Sequence, residues 1–318
     1  MIKVGIIGCT DVRAAELVRV LINHPDVEVR WVQDVNVAGV RVDHLVHGLV
    51  GECDLTVVNQ GSLDEVDLIY LCGCRDEVDA MLKTLVLPDG LRVIDLSGCH
   101  NLDHGPEGPW VYGLSEMQRR LLVHDARLVT VPGLAAAAAL LALMPMARNL
   151  MLNSPLTLHV AVGGMAFDGG STTLDGLAPD AWISQQRQEI ARALQQCQTS
   201  FGQPIEMDLT RLAERRTLAV AARFKCGVDD ETIRQLYEQY YEDHNFVFLL
   251  DRPIVTADVE NTNKCLIHLD KDERSGLLTV HAVMDLLLKG GAGTAVHVMN
   301  LMFGLHERVG LSLKGTGC

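Results

Sequence analysis

Two groups of cysteine and histidine residues lie at the ends of apolar segments, where side chains could do chemistry. Cys72 and Cys74 end one apolar run, and Cys99, His100 and His104 follow another. Groups beyond the carboxyl ends of parallel strands converge on the ligand crevice, so these five could form a soft metal site or a thiol nucleophile with a histidine base. Alternatively, the thiols pack behind the strands and the histidines lie in a solvated loop. No paired Cys-x-x-Cys spacing is present, which favours packing, and we predict no metal site.

A second candidate position lies within residues 128–142, which read LVTVPGLAAAAALLA. An apolar strand, a Pro-Gly turn and a helix follow one another here. Many α/β enzymes hold a nucleophile at such a turn, because the first N–H groups of the helix are free to hold an anion. The residue at that position is Leu134, which has no nucleophilic group. A third candidate, His159, lies on a strand entering the glycine-rich segment GGMAFDGG, either as a hydrogen-bonded core residue or as a ligand-binding one.

The segments that must position these residues fall into two patterns. In the N-terminal part, apolar runs separated by helical or loop segments predict an α/β fold with a Rossmann-like, doubly wound parallel sheet. Beyond Pro145, strands in sequence with helices gathered to one side predict an α+β domain with an antiparallel or mixed sheet. The predicted domains are residues 1–147, completed by a C-terminal helix within 290–318, and residues 148–289.

The individual elements follow from hydrophobic periodicity. The predicted strands are 3–8, 27–32, 55–58, 68–72, 92–96, 128–131, 156–162, 216–225, 246–250, 265–270 and 277–284, the last two forming a hairpin. The predicted helices of the second domain are 181–198 and 230–243.

Composition limits the possible partners. A chain of 318 residues with 48% hydrophobic content can bury a full core without crosslinks, and its nine cysteines are expected to be reduced thiols. The net charge of −14, without a compensating run of Lys and Arg, argues against nucleic acid and anionic membranes. No apolar run reaches spanning length, and the opening MIKVGIIG leads directly into a strand. We therefore expect a cytoplasmic protein that binds a small molecule or another protein.

Five sequence motifs occur together in an order that is typical of one enzyme family. They are MIKVGIIGCT followed by Glu16-Leu17, VIDLSG at 93–98, YGLSE at 112–116, VPG at 131–133 and LLKGGAGTAVHVMNLMFGL at 287–305. In this combination the chain resembles N-acetyl-γ-glutamyl-phosphate reductase, an arginine-biosynthesis enzyme of the semialdehyde dehydrogenase type. The resemblance implies an NADP-binding domain, a dimerisation and substrate domain, a homodimer or homotetramer, and reduction of an acyl phosphate to an aldehyde.

Three segments that carry the family's chemistry differ in this chain. Hydride must reach an acyl-enzyme thioester, so the reaction needs a thiolate. The family motif P-G-C-Y-P-T reads Pro132-Gly133-Leu134-Ala135-Ala136-Ala137 here, so the resemblance implies that Leu134 replaces the nucleophile. The family's acid/base histidine should fall near residues 208 and 209, where the sequence has no histidine, and the H-R-H-x-P-E segment reads SQQRQE at 184–189. We therefore expect no catalytic group at the family position, which leaves Cys99, His100 and His159 as the candidates.

The cofactor positions implied by the resemblance are also altered. They are Gly8, Thr10, Asp11, Asp34, Ser97, Lys289 and Gly290. Of the pattern G-x-x-G-x-x-G only Gly8 is kept, and Asp11 places a carboxylate where a glycine would admit a pyrophosphate; it could instead cap the helix and fill the anion site. Asp34 suits the ribose hydroxyls of NAD and repels the 2′-phosphate of NADP. No cofactor is therefore certain, NAD is the weak possibility, and NADP is disfavoured.

The remaining family positions could bind an anion or serve only structure. Arg215 and Arg216 match an Arg-Gly pair that lines the substrate region, and an ordinary surface pair is the alternative. Lys289 and Gly290 match a turn beside the nicotinamide, or they simply start the last helix. Two main hypotheses follow: a degenerate paralogue with a binding or partner role, and a redirected NAD(P)-dependent oxidoreductase or other enzyme on the same fold. A third, an active acyl-phosphate reductase, is opposed by Leu134.

Overall fold

The computed structural model describes residues 1–102, 109–124, 126–167 and 174–315, and it divides into two compact units. Unit 1 comprises Met1–Pro132 and Gly291–Ser312. Unit 2 comprises Gly133–Gly290 and the chain end from Leu313.

The strands and α-helices of the described residues are, in chain order, β1 (Ile2–Ile7), α1 (Val12–Leu21), β2 (Val27–Gln33), α2 (Val42–Leu45), β3 (Leu68–Leu71), α3 (Arg75–Thr84), β4 (Arg92–Asp95), β5 (Trp110–Tyr112), α4 (Ser115–His124), β6 (Leu128–Thr130), α5 (Leu134–Arg148), β7 (Leu156–Val162), α6 (Pro179–Cys197), β8 (Ile205–Arg211), β9 (Thr217–Lys225), α7 (Asp230–Tyr241), β10 (Val247–Leu250), β11 (Cys265–Asp272), β12 (Leu277–Asp285) and α8 (Gly293–Met302). In this part of the chain, no helix is both long and apolar enough to cross a membrane.

Unit 1 is built on a six-stranded sheet in the order β2-β1-β3-β4-β6-β5, in which all neighbouring strands are parallel. The sheet is the predicted Rossmann-like one. Its central strands β3 and β4 are almost wholly buried, as expected for parallel strands covered on both faces. Helix α8, from the C-terminal end of the chain, packs on α1 and α4 of the same unit.

Two details of the first sheet differ from the sequence-based expectation. Residues 55–58 are not a strand and make only isolated bridges. The N–H of Val57 donates to the carbonyl of Val40, whereas the N–H of Val58 donates to that of Val32, so consecutive residues do not keep the same partner. Conversely, β5 was not predicted, because three residues are too few to show a period.

Unit 2 holds a mixed six-stranded sheet in the order β10-β11-β12-β9-β7-β8. The β11–β12 hairpin forms as predicted, with an antiparallel ladder from Cys265 opposite Met284 to Asp272 opposite Leu277. Of the two predicted forms, antiparallel or mixed, the sheet is the mixed one, because β8 pairs parallel with β7, and β10 pairs parallel with β11. Strand β8 was missed, although Ile205, Met207 and Leu209 alternate with polar residues.

Helix α5 belongs to unit 2, where it packs on α6, β9 and β12. Every residue from Ala135 to Ala147 is buried, because small side chains let neighbouring backbones approach closely on all sides. The boundary between the compact units therefore follows Pro132, before this helix, whereas the sequence pattern placed it after the helix, at residue 147.

Candidate functional site

A cavity of about 580 Å³ lies beside the ends of β1, β2 and β3 in unit 1. Four of the predicted cofactor residues line it, namely Gly8, Thr10, Asp11 and Asp34, and Cys72 and Cys74 lie on its wall as well. Gly8 has a φ of +85°, and a Cβ at this position would approach the carbonyl oxygen of Cys72 to 2.4 Å. Only glycine therefore fits the first turn of this crevice.

The N-terminus of α1 already holds an anion from its own sequence. Oδ1 of Asp11 accepts hydrogen bonds from the backbone N–H of Arg13 (2.7 Å) and from its Nε (2.9 Å), and Oδ2 pairs with the guanidinium at 2.6 Å. The same guanidinium donates to the carbonyl of Leu96 at 2.7 Å. Burial opposes ionisation of Asp11, but the charge and hydrogen bonds of Arg13 outweigh it, so the pKa of this carboxyl lies below its usual range. A carboxylate thus lies where a dinucleotide-binding fold places phosphate.

Asp34 is engaged by its own chain as well. Its Oδ2 accepts hydrogen bonds from the hydroxyl of Thr10 (2.8 Å) and from the N–H of Thr10 (3.3 Å), and its Oδ1 accepts one from the N–H of Asn36 (3.0 Å). The residue is only 8% exposed. Burial, together with the charge of Asp34, raises the pKa of the nearby Cys9 thiol to about 12. Most of the hydrogen-bonding capacity of the Asp34 carboxylate therefore holds the loop that follows β1.

Unit 2 begins at Gly133, directly before the first residue of α5, Leu134. At the start of α5, the N–H of Gly133 donates to Oε1 of Glu189 at 2.8 Å, and the N–H of Ala136 donates to Oε1 of Gln186 at 3.0 Å. Both acceptors lie on α6, with Glu189 fully buried and Gln186 2% exposed. A Cβ at Gly133 would approach the Gln186 amide nitrogen to 2.2 Å, and one at Gly290 would approach Leu134 to 3.2 Å. The anion-binding end of the helix is thus filled by side chains of α6.

The predicted substrate and nicotinamide residues have structural partners in unit 2. Arg216 pairs with the fully buried Asp285 through two hydrogen bonds, at 2.9 and 3.0 Å. Asp285 also accepts the N–H groups of residues 261, 287 and 288. Arg215 is exposed, and Lys289 is buried with its Nζ 5.7 Å from the ring of Phe246. Arg216 is therefore the half-buried partner of a buried carboxylate.

His159 is not the core histidine that one interpretation expected, because its side chain is 42% exposed. It lies on β7 opposite Asp208 on β8, and its Nδ1 is 2.5 Å from Oδ2 of that carboxylate. The sequence has no histidine near position 208, but the parallel pairing of β7 and β8 places one beside it. A depression of about 330 Å³ lies next to His159, with Thr157 and Arg223 on its wall.

Of the five cysteine and histidine residues that follow two predicted strands, Cys99 and His100 are in contact. After β4, Cys99 and His100 fold back over Asp95, which ends the strand, and Sγ of Cys99 lies 2.8 Å from Nδ1 of His100. Burial raises the pKa of the Cys99 thiol to about 12, with a further contribution from the charge of Asp95. His104 lies outside the described residues. Asp95 was not predicted, although an acid at the carboxyl end of a buried parallel strand was a visible signal.

Ser97, the last of the predicted cofactor residues, belongs to this second cluster. It is buried, and both its N–H and its hydroxyl donate to Oδ1 of Asp95, at 2.8 and 2.6 Å. Ser97 therefore orients a carboxylate, and the residues that line the 580 Å³ cavity do not include it.

Comparison with known proteins shows that the chain has the domains of a semialdehyde dehydrogenase. Residues 3–124 match the semialdehyde dehydrogenase NAD-binding domain, and residues 185–285 match the semialdehyde dehydrogenase dimerisation domain. Among solved structures, aspartate semialdehyde dehydrogenase II from Vibrio cholerae complexed with ASA aligns with a TM-score of 0.74 at 14% identity, covering 96% of this chain and 98% of that one. The Candida albicans aspartate semialdehyde dehydrogenase with NADP gives a TM-score of 0.72 at 14% identity, with 95% and 98% covered. At such identities these likenesses establish the fold alone.

Sequence relatives then define the family. The N-acetyl-gamma-glutamyl-phosphate reductase of Parabacteroides distasonis is 37% identical over 322 residues, and that of Phocaeicola vulgatus is 36% identical over 322 residues. Each alignment covers 99% of this chain and 99% of the relative. The chain belongs to the N-acetyl-γ-glutamyl-phosphate reductase family, which confirms the resemblance seen in its motifs.

Proposed function

We propose that this chain is a member of the N-acetyl-γ-glutamyl-phosphate reductase family that has lost thioester-based acyl-phosphate reduction and keeps a role in binding a ligand or a partner. The observation that carries the proposal is the start of α5. The family motif assigns Leu134 to the position of the nucleophile, and the side-chain oxygen of Gln186 accepts a hydrogen bond from the N–H of Ala136 at the helix N-terminus. A leucine side chain has no lone pair with which to attack an acyl phosphate.

The change at α5 extends beyond one residue, which supports loss of the reaction rather than a shifted nucleophile. Gln186 lies in the segment SQQRQE, where the family pattern has a second histidine, and Glu189 is the position at which the chain keeps the family residue. The amide of Gln186 hydrogen-bonds to the helix, so it takes the space in which a histidine would act on substrate. Restoring the thiol alone would therefore leave the chain without a histidine in either of the two family segments that carry one.

The proposal is tested by phosphate-dependent NADP reduction with N-acetylglutamate semialdehyde, in parallel with the Parabacteroides distasonis relative. We expect turnover at least about 10⁴-fold below that of the relative, since removing a covalent nucleophile costs several powers of ten. Leu134→Cys alone should remain inactive, because the acid/base histidine that the family pattern places near residues 208 and 209 is missing as well. Wild-type turnover within tenfold of the relative would contradict the proposal, provided that circular dichroism shows both proteins folded.

The retained role is proposed for the 580 Å³ cavity of unit 1. Its wall keeps the glycine turn of a dinucleotide fold, and Asp34 lies where a ribose would bind. We expect weak NAD binding and still weaker NADP binding, because a carboxylate at that position repels a 2′-phosphate. The matched dimerisation domain supports a homodimer or homotetramer, and we expect the protein in the cytoplasm.

A redirected NAD-dependent enzyme is the second candidate, and the same cavity is the observation that favours it. The two proposals differ in cofactor affinity. Titration calorimetry with NAD and NADP separates them: micromolar NAD binding would favour the redirected enzyme, and micromolar NADP binding would contradict the predicted order of the two cofactors.

A further inference from the structure

Three different metal-ligand atoms meet at the carboxyl end of β4. Nδ1 of His100 lies 2.8 Å from Oδ2 of Asp95 and 2.8 Å from Sγ of Cys99, and the sulfur lies 3.5 Å from the same carboxylate oxygen. Imidazole nitrogen, thiolate sulfur and carboxylate oxygen are the three ligand types that proteins use for zinc. The three atoms form a small triangle rather than a chain.

This shape distinguishes a metal site from a nucleophilic relay. In a Cys-His-Asp relay the two ring nitrogens serve different partners, one orienting the ring and the other activating the thiol. Here Nδ1 faces both Asp95 and Cys99, and Nε2 lies 3.7 Å from the sulfur. One ring atom therefore points towards the centre of the cluster, as a metal ligand does.

The separations suit a zinc ion after a small opening of the triangle. Zinc bonds of about 2.3 Å to sulfur and about 2.0–2.1 Å to nitrogen and oxygen, at tetrahedral angles, place ligand atoms about 3.3–3.6 Å apart. The separation of 3.5 Å between Cys99 and Asp95 already matches. The two distances of 2.8 Å from His100 must each widen by about 0.5–0.8 Å to reach this geometry, a movement that side-chain rotation in the loop after β4 would have to supply.

Two of the three proposed ligands, Asp95 and His100, are oriented by further contacts outside the cluster. The Oδ1 atom of the fully buried Asp95 accepts both Ser97 hydrogen bonds, which leaves Oδ2 for the cluster. The ring of His100 stacks on Trp110 with centroids 4.0 Å apart and planes 20° apart. Such outer partners fix the orientation of metal ligands. The cluster also lies at the carboxyl edge of a parallel sheet, where open α/β folds bind their ligands.

We propose that Asp95, Cys99 and His100 bind one zinc-type divalent metal ion, with the fourth coordination position open to water or a small anion. On binding, the Cys99 thiol gives its proton to solvent and its sulfur forms the metal bond, while neutral His100 donates the Nδ1 lone pair. Three protein ligands with one open position are the arrangement of catalytic rather than structural zinc sites.

The test is metal stoichiometry on the full chain. After chelator treatment and dialysis against zinc, we expect one equivalent by plasma mass spectrometry and a thiolate-to-metal charge-transfer band with cobalt. Cys99→Ser and His100→Asn should each weaken zinc binding by at least about a hundredfold, since even loss of a ligand's hydrogen-bond partner costs 10- to 100-fold. The matched control Cys74→Ser changes an exposed cysteine of the same unit and should bind as the wild type does. Less than about a tenth of an equivalent in the wild type, or equal zinc binding by Cys99→Ser, would overturn the proposal.

A second measurement needs no variant and therefore does not depend on variant folding. Native wild-type protein is alkylated with and without zinc, and labelling of each cysteine is followed by mass spectrometry. We expect zinc to slow labelling of Cys99 at least about tenfold, because a metal-bound thiolate is shielded, and to leave exposed Cys74 unchanged. Equal labelling of Cys99 in the presence and absence of zinc would mean that the cluster is held by hydrogen bonds alone.

Discussion

Replacing Asp11 by Asn should increase the affinity of the unit 1 cavity for dinucleotides. The wild-type carboxylate accepts three hydrogen bonds from Arg13 and lies at the end of α1 where a pyrophosphate would bind. Asparagine keeps the N-cap and nearly the same shape, so the change removes charge while preserving the helix start. It also removes the negative charge that competes with an incoming phosphate for the Arg13 guanidinium.

The expected size follows from charges at contact distance. Two unit charges about 4 Å apart repel by about 4 kcal/mol at an effective dielectric of 20, and the attraction of Arg13 offsets part of this in the wild type. A net gain of about 1–3 kcal/mol corresponds to about 5- to 150-fold tighter binding. Calorimetric titration with NAD and with ADP measures this, and Asp64→Asn, an exposed aspartate of the same unit, is the matched control.

The same variant should be less stable than the wild type, because it breaks the pair between Asp11 and Arg13. The pKa of Asp11 is lowered on folding, so the pair contributes fully above the ordinary aspartate pKa of about 3.9 and is lost as pH falls through the lower folded value. The stability difference between wild type and variant should therefore shrink on acidification below about pH 4. An NAD affinity that is unchanged or weaker in folded Asp11→Asn would refute the idea that the carboxylate fills the anion site.

Three further predictions concern buried polar contacts, each checked by the denaturation midpoint. Gln186→Ala should destabilise unit 2 by about 1–3 kcal/mol by leaving the N–H of Ala136 unpaired, whereas exposed Gln195→Ala should have little effect; equal effects would contradict this. Asp285→Asn should cost about 1–3 kcal/mol because it removes the buried carboxylate that pairs with Arg216, and exposed Asp270→Asn is the control; a loss no larger than that control's would argue against a structural pair. Burial opposes ionisation of Glu307, but His297 and Arg119 outweigh it and lower the pKa of this carboxyl. The ionised Glu307 therefore stabilises the folded protein fully above the ordinary glutamate pKa of about 4.3, and this stabilisation is lost as pH falls through the folded value. The loss of stability in Glu307→Gln relative to the wild type should accordingly be largest near neutral pH and decrease in acid. A loss of stability that does not depend on pH would show that it does not come from ionisation of Glu307.

The parallel sheet of unit 1 was predictable because its strands are short, apolar and separated by connections long enough for crossovers. The alternating pattern of β8 is present in Ile205, Met207 and Leu209, but the charged residues between them obscure it. The assignment of α5 could not be predicted in the same way. A helix of Ala and Leu is apolar on all sides, so its sequence does not indicate which sheet it will cover.

The contacts of the site residues also differ in how far the sequence predicts them. Cys99 and His100 meet Asp95 through a local turn at Gly98, whose φ is +79°, so their approach is within reach of sequence reasoning. Gln186 and Gly133 are far apart in sequence and meet only because α6 packs on α5. Likewise, His159 reaches Asp208 through strand pairing, which the sequence does not fix by itself. Contacts of this kind depend on tertiary packing, and no local pattern reports them.

The packing of Gln186 against Gly133 bears on how the protein could evolve. Because the amide hydrogen-bonds to α5 in a space with no room for a Cβ at Gly133, selection for a stable fold alone is enough to retain it. Under the proposed function, a thiol introduced at position 134 gives no advantage while the histidines of the family pattern are missing, and loss of Gln186 destabilises the start of α5 while Leu134 remains. On that proposal no single substitution supplies the reductase chemistry, so the chain has more routes to a new role than to acyl-phosphate reduction.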